Sequence, residues 1–356
     1  MDQLNKLTKE LITIPSVTGD LTACNKILEF IKTQLAEFNV KEFEKNDVKS
    51  LLFYNTDTLP KKFRVILNAH VDVVPAKAEQ FRPNEQNGKI YGRGAQDMKS
   101  GAAAVILAFK ALSKTVKYPL ALQIVTDEEV GGFNGAGYQL EQGIKTDFIL
   151  AGESTDLKIN NYAKGIVWAH ITTRGTSAHG AYAWNGSNAI DKLMTILNDL
   201  RKVYPEPTKE IWKTTLNIAT VSTTNTAQNK VPADATATLD FRIIPEDRKT
   251  FLNDFKKLLD ERAELEIMAD GPCQITPNDH PDLLALVNSM RHVTGTSTTY
   301  LKTHGGSDVR FYTDSGSAAA CMGPVGEGLH TDNEWVDIKS IHDFFLILNK
   351  FLTSVS

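Results

Sequence analysis

Strand-length apolar runs that stop at a histidine or an acid recur along this chain, and that recurrence points to an open α/β sheet. Residues 63–69 run into His70 and Asp72, residues 120–126 into Asp127-Glu128-Glu129, and residues 148–151 into Gly152 and Glu153. Residues 318–322 precede Gly328-Leu329-His330-Thr331-Asp332-Asn333-Glu334, and Tyr91-Gly92-Arg93-Gly94-Ala95-Gln96-Asp97 adds a fifth stretch of the same kind. Sheets of this type collect what they bind outside the carboxyl ends of their strands. Ends that carry His, Asp and Glu therefore converge on one place.

A chain of 356 residues is too long for one ordinary core and fits two domains. Its 42% hydrophobic and 23% charged residues are the proportions of a globular protein, which sets disorder aside. The net charge of −4 comes with scattered Lys and Arg, so no basic stripe addresses nucleic acid or an anionic membrane. No run approaches the roughly 18 apolar residues of a membrane span, and the polar start Met1-Asp2-Gln3-Leu4 lacks the apolar segment of a secretory signal. Cys24, Cys273 and Cys321 are odd in number and far apart, which argues against disulfides and a cysteine zinc site. A small-molecule ligand and a reducing cytoplasm are the expectation.

The periodicity predicts helices over 3–13 and 22–37, a strand over 63–69, a helix over 98–112 opened by Asp97, and strands over 120–126 and 148–151. After Lys164 the pattern changes to strand 166–173, helix 187–203, strands 215–221 and 235–244, helix 248–262 and strand 263–268. That β-α-β-β-α-β order describes a ferredoxin-like sheet with two helices on one face. Beyond Asp270-Gly271-Pro272 the first pattern resumes, with helix 282–292, strand 318–322 and a closing helix 340–354. The expected fold class is α/β: a mixed, mostly parallel sheet flanked by helices, carrying an inserted domain. The expected boundaries are 1–164 with 273–356 for the first domain and 165–272 for the insert.

Each candidate ligand has a plainer reading. His70 alone suits a hydrogen-bonded core histidine, Asp72 a turn residue, and Asp97 a helix N-cap satisfying free backbone N–H groups. Spacing by two lets Asp72 hold one imidazole nitrogen of His70 while the other meets a metal. Asp127-Glu128-Glu129 is harder to explain plainly, because three adjacent acids after a buried strand repel one another and a divalent cation relieves that cost. Glu153 and His330 repeat the device. Taken together they indicate a two-metal hydrolytic centre.

The same pieces resemble a known family, the dinuclear zinc amidohydrolases that include succinyl-diaminopimelate desuccinylase, acetylornithine deacetylase, aminoacylase and bacterial glutamate carboxypeptidase. The resemblance rests on His70-Val71-Asp72-Val73-Val74-Pro75, Gly92-Arg93-Gly94-Ala95-Gln96-Asp97-Met98-Lys99, Asp127-Glu128-Glu129-Val130-Gly131-Gly132, Gly152-Glu153-Ser154-Thr155 and His330-Thr331-Asp332-Asn333-Glu334. It implies two zinc ions per subunit, with cobalt or manganese possible at one site, bridged by Asp97. His70 and Glu153 then complete one site, Glu129 and His330 the other. It also implies Glu128 as general base, Asp72 as the residue orienting His70, and a cis Asp97–Met98 peptide.

In the insert, Thr173-Arg174-Gly175-Thr176-Ser177-Ala178-His179-Gly180 is similar to the family's lid segment. The similarity implies that His179 stabilises an oxyanion in the partner subunit of a homodimer formed through the insert. Asn229-Lys230-Val231-Pro232 and Asp240-Phe241-Arg242 look like its lid residues for a free substrate carboxylate, which Asn229 and the two-pronged Arg242 would grip; the plainer reading of Arg242 is a solvated charge paired with Asp240 or Glu246. Gly305, Gly306 and Ser307 are either backbone donors to that carboxylate or an ordinary glycine turn. Ser154 stands where many relatives have proline, Ser100 where many have glycine, and Ala181-Tyr182-Ala183-Trp184 replaces a proline-containing stretch. The expected reaction is amide hydrolysis in a small carboxylate-bearing substrate, an N-acyl amino acid first, with a dipeptidase or carboxypeptidase and a non-catalytic binding protein as alternatives.

Overall fold

The computed structural model describes residues 2–355. Its contacts divide the chain into two units, one of residues 1–162, 274–303 and 307–356 and one of residues 163–273 with 304–306.

The first unit is built on a nine-stranded sheet. At its centre Leu120–Val125, Phe63–His70, Thr146–Ala151 and Ala318–Cys321 lie side by side and parallel. These runs are continuously apolar because both faces are covered. Val65, Leu67, Ala69, Leu120, Leu122, Ile124, Phe148 and Leu150 enter one buried cluster with the helices Ser100–Leu112 and Ile338–Ser354. Their neighbours Ile66, Ala121, Val125, Ile149 and Ala151 enter a second cluster. The alternation is the two-residue period of a strand.

The closing helix buries Ile341, Phe344, Ile347, Leu348, Phe351 and Leu352, the three-and-four spacing of a helix lying on a sheet. Asp337 caps it, its carboxylate accepting from Ser340 N at 2.7 Å. Asp337→Ala should cost about 1 kcal/mol, read as a lower denaturant midpoint with an unchanged slope.

The second unit is a four-stranded antiparallel sheet in the order Thr215–Ser222, Asp234–Ile243, Gly165–Arg174, Glu264–Gly271. Ala235, Ala237, Leu239, Phe241 and Ile243 alternate into a core shared with the helices Ala189–Val203 and Phe251–Leu259.

One expectation about an element changes. The helix expected over 98–112 runs Ser100–Leu112, because Asp97 (φ −118°, ψ 104°) and Met98 are not helical and the peptide joining them is cis. Asp97 is therefore not its N-cap. A hairpin of Asn39–Lys45 and Val48–Tyr54, not read from sequence, forms one edge of the large sheet. Phe43 is the one buried residue of its outer strand, so no apolar run announces that strand, and Lys and Glu blunt the edge.

Candidate metal centre

Strand register brings the site together. His70 pairs with Val125 and Asn68 with Ala151, so Asp127-Glu128-Glu129 and Glu153 leave their strands at the edge where His70 ends its own. Asp97 arrives on the irregular turn before Ser100–Leu112. His330 arrives on a loop and has a positive φ of 61°.

Two groups of ligand atoms result, and Asp97 is common to both. His70, Asp97 and Glu153 form one and Asp97, Glu129 and His330 the other, with the atoms of each within 4.8 Å of one another. Asp97 Oδ1 lies 3.0 Å from His70 Nε2, and Asp97 Oδ2 lies 3.4 Å from His330 Nε2. The outer carboxylates follow, with Glu153 Oε2 at 3.8 Å from His70 Nε2 and Glu129 Oε2 at 3.3 Å from His330 Nε2. Ligand atoms about 2 Å from a tetrahedral ion lie roughly 3.3 Å apart, so these separations fit a pair of ions sharing Asp97. The residue types, imidazole and carboxylate, suit a divalent metal of the zinc kind. The buried Glu129 Oε1 has no hydrogen-bond partner among the described residues.

The electrostatics fit the same reading. His70 Nδ1 lies 3.1 Å from the Asp72 carbonyl and 3.4 Å from Asp72 Oδ1. Acceptors on that side place the proton on Nδ1 and turn Nε2 toward the ligand group. Burial works against charge on His70, but hydrogen bonds to Asp72 and Asp97 prevail and hold its pKa well above the ordinary value. Burial likewise opposes ionisation of Asp97, and the hydrogen bonds from His330 and His70 nevertheless keep its carboxyl well below the usual range. Burial pushes Glu153 up to about 7 and raises Glu128 and Glu129, with neighbouring carboxylates adding to each rise and His70 opposing it. Glu128 belongs to neither ligand group. Glu128 thus stands beside both groups as a buried carboxyl whose ionisation is opposed by burial and by its acidic neighbours.

A ring of buried contacts fixes the ligand loops, and this part was not read from sequence. Glu334 Oε1 accepts from Gly94 N at 3.0 Å, Gln96 N at 2.9 Å and Asp97 N at 3.1 Å, while Oε2 takes Arg93 Nη1. Ser154 Oγ donates to Gln96 O at 2.5 Å, joining the Glu153 loop to the Asp97 loop. Ser307 Oγ donates to Glu153 Oε1 at 3.1 Å, so Ser307, read as either a backbone donor or part of a glycine turn, holds a candidate ligand carboxylate through its hydroxyl. Thr18 Oγ1 donates to Asp72 Oδ2 at 2.8 Å. Glu334 was visible as an acid after His330, but nothing in a sequence shows which backbone donors a buried carboxylate will serve.

The remaining candidates belong to the second unit. His179 starts the short turn Gly180–Asn185, and its Nδ1 accepts from Ala181 N at 3.1 Å. That bond leaves the neutral ring's proton on Nε2. Gly180 N donates to Asn229 O at 2.6 Å and Val231 N to Ala178 O at 2.9 Å, so His179 and Asn229 sit on adjoining segments. Arg242 is half-buried on Asp234–Ile243 with its Nε 3.0 Å from Asp240 Oδ1. Gly305 and Gly306 group with this unit.

Comparison with known proteins places the chain in a family. The model of peptidase family M20/M25/M40 matches residues 66–354. The chain belongs to this family. A succinyl-diaminopimelate desuccinylase of Nautilia profundicola is 29% identical over 350 residues, covering 92% of this chain and 93% of that protein. A probable carboxypeptidase of Emericella nidulans is 31% identical over 266 residues, covering 67% of this chain and 62% of the longer relative. In fold, the chain is similar to an M20 family metallo-carboxypeptidase of Sulfolobus solfataricus, with a TM-score of 0.80, 19% identity and 99% of each chain covered. The large, centrally parallel sheet with its flanking helices is thus the M20 architecture. The M20 chain is a hydrolase of amide or peptide bonds. Among the described residues no helix is long and apolar enough to cross a membrane.

Proposed function

We propose that this M20 hydrolase is a zinc-dependent deacylase of N-acyl amino acids, of the desuccinylase or deacetylase kind. The observation that carries the metal reading is Asp97, whose two oxygens face His70 and His330 separately. His70, Asp97 and Glu153 would hold one ion, and Asp97, Glu129 and His330 the other. When bound, two such ions would supply Lewis acidity toward the scissile carbonyl and would lower the pKa of a water. Asp72 keeps His70 in the tautomer that leaves Nε2 free to bind. Glu128 accepts the proton of the attacking water and returns it to the departing nitrogen.

We assign residues 165–272 the role of a lid and dimerisation domain, with the homodimer formed through it. His179, offering Nε2–H, would stabilise the oxyanion, and Asn229 and Arg242 would bind the substrate carboxylate. Gly305 and Gly306 would add backbone N–H groups to that carboxylate, and Ser307 would hold Glu153. The three buried free cysteines suit a reducing cytoplasm. A carboxypeptidase or dipeptidase is the second reading, favoured by the carboxypeptidase among the relatives.

The test is metal content together with amine release from N-succinyl and N-acetyl amino acids and from dipeptides, before and after chelation and zinc restoration. Zinc-restored release from acyl amino acids alone supports the deacylase. Release from dipeptides alone moves the assignment to the second reading, and two bound ions with no turnover leave a binding protein.

A further inference from the structure

Arg310 lies outside both ligand groups, yet it bonds to the turn that carries Glu129 and to the backbone of Ser307, whose hydroxyl in turn holds Glu153. It is 1% exposed and among the largest fully buried side chains of the protein. Its Nη2 donates to Gly131 O and its Nη1 to Ser307 O at 2.9 Å. Gly131 closes the turn Glu128–Val130, with its own N–H donating to Glu128 O at 2.8 Å. Ser307 reaches the other loop through its hydroxyl, 3.1 Å from Glu153 Oε1.

The guanidinium is fixed in its plane as well. Its carbon lies 4.4 Å from the centre of the Phe311 ring and 5.8 Å from that of Phe133, and the two rings meet edge-on at 5.4 Å. The crowding extends to Gly132, where an added Cβ would fall 1.8 Å from Asp308 Oδ1. Arg310 acts electrostatically on the buried carboxyls of Asp127 and Asp308. A planar fork of five donors can span two carbonyls in a set direction, which a flexible ammonium cannot do.

We infer that Arg310 is a positioning residue that sets the distance between Glu129 and Glu153, and so lets the chain hold two metal ions as a pair. The inference rests on the proposed two-metal reading. It makes Arg310 a determinant of metal affinity, acting through the Glu128–Val130 turn on one side and through Ser307 on the other.

Arg310→Lys keeps the charge and removes the planar span. Zinc titration of the metal-free full-length protein should show both ions bound about 10- to 100-fold more weakly, the usual size of a loss behind the ligands. The visible spectrum of the cobalt(II)-loaded variant should differ from the parent's, and kcat should recover at saturating zinc with KM unchanged. Ser307→Ala serves as a second variant should the lysine protein fail to fold. It cuts one arm of the connection and should weaken the ion held by His70 and Glu153 more than the other. Parent-like affinities and cobalt spectrum in a folded Arg310→Lys protein, or in Ser307→Ala where the former does not fold, would overturn the inference. A parent protein that binds no pair of ions would instead overturn the two-metal reading itself, so the two failures are separable.

Discussion

Glu128→Gln is expected to retain both metal ions and to lower kcat by about 10²- to 10⁴-fold, the usual contribution of a positioned proton acceptor. Glu128 lies three residues past the central strand Leu120–Val125, between Asp127 and Glu129, yet belongs to neither group of candidate ligands. The substitution preserves size and removes only the ability to take a proton. Burial raises the Glu128 carboxyl, and the charges of Glu153, Asp308 and Asp97 raise it further, against the pull of His70. A ligand would behave otherwise: Asp97→Asn should release metal, since each Asp97 oxygen faces a different histidine. Metal analysis beside steady-state kinetics separates the two behaviours. Turnover of Glu128→Gln at the parent rate would remove Glu128 from the proton-transfer role and leave the ligand groups untouched.

How much of this was legible in the sequence depends on whether a residue's task is local. The four central strands are apolar on both faces, and binding residues gather at the carboxyl ends of such strands; His70, Glu129 and Glu153 could therefore be placed at one edge in advance. The second unit was legible for a related reason, since Asp234–Ile243 alternates residue by residue. The hairpin Asn39–Lys45 with Val48–Tyr54 was missed because its outer strand is charged. Its turn signal, Asn46-Asp47 with φ of 51° and 64°, is the two-residue turn chemistry of a hairpin. The start of Ser100–Leu112 was misplaced because an acid before a helical pattern ordinarily caps it, whereas Asp97 is turned toward two histidines. Arg310 was invisible: its partners, Gly131 O and Ser307 O, are backbone carbonyls of residues 179 and 3 positions away, and no side-chain type marks them.

Glu334→Ala should be the most destabilising single change near the site, costing about 3–5 kcal/mol, the range for breaking a buried ion pair by removing one partner. Arg93 is 3% and Glu334 1% exposed, so water cannot replace the lost carboxylate. The guanidinium keeps the Thr331 carbonyl at 3.3 Å but loses its counter-charge. The N–H groups of Gly94, Gln96 and Asp97 lose their common acceptor at the same time, and a buried donor without a partner is costly in its own right. Because one of those donors is the backbone of Asp97, the damage should extend past stability to metal binding. Glu334→Gln separates the contributions: its amide oxygen can still serve the three backbone donors, while its NH₂ confronts Arg93 donor to donor. Guanidinium unfolding followed beside zinc titration should therefore show both variants destabilised, with metal affinity better preserved in Gln than in Ala. If Ala lost less than about 1 kcal/mol, the carboxylate would be contributing no more than an exposed ion pair, and the Asp97 turn would have to be held by its packing alone.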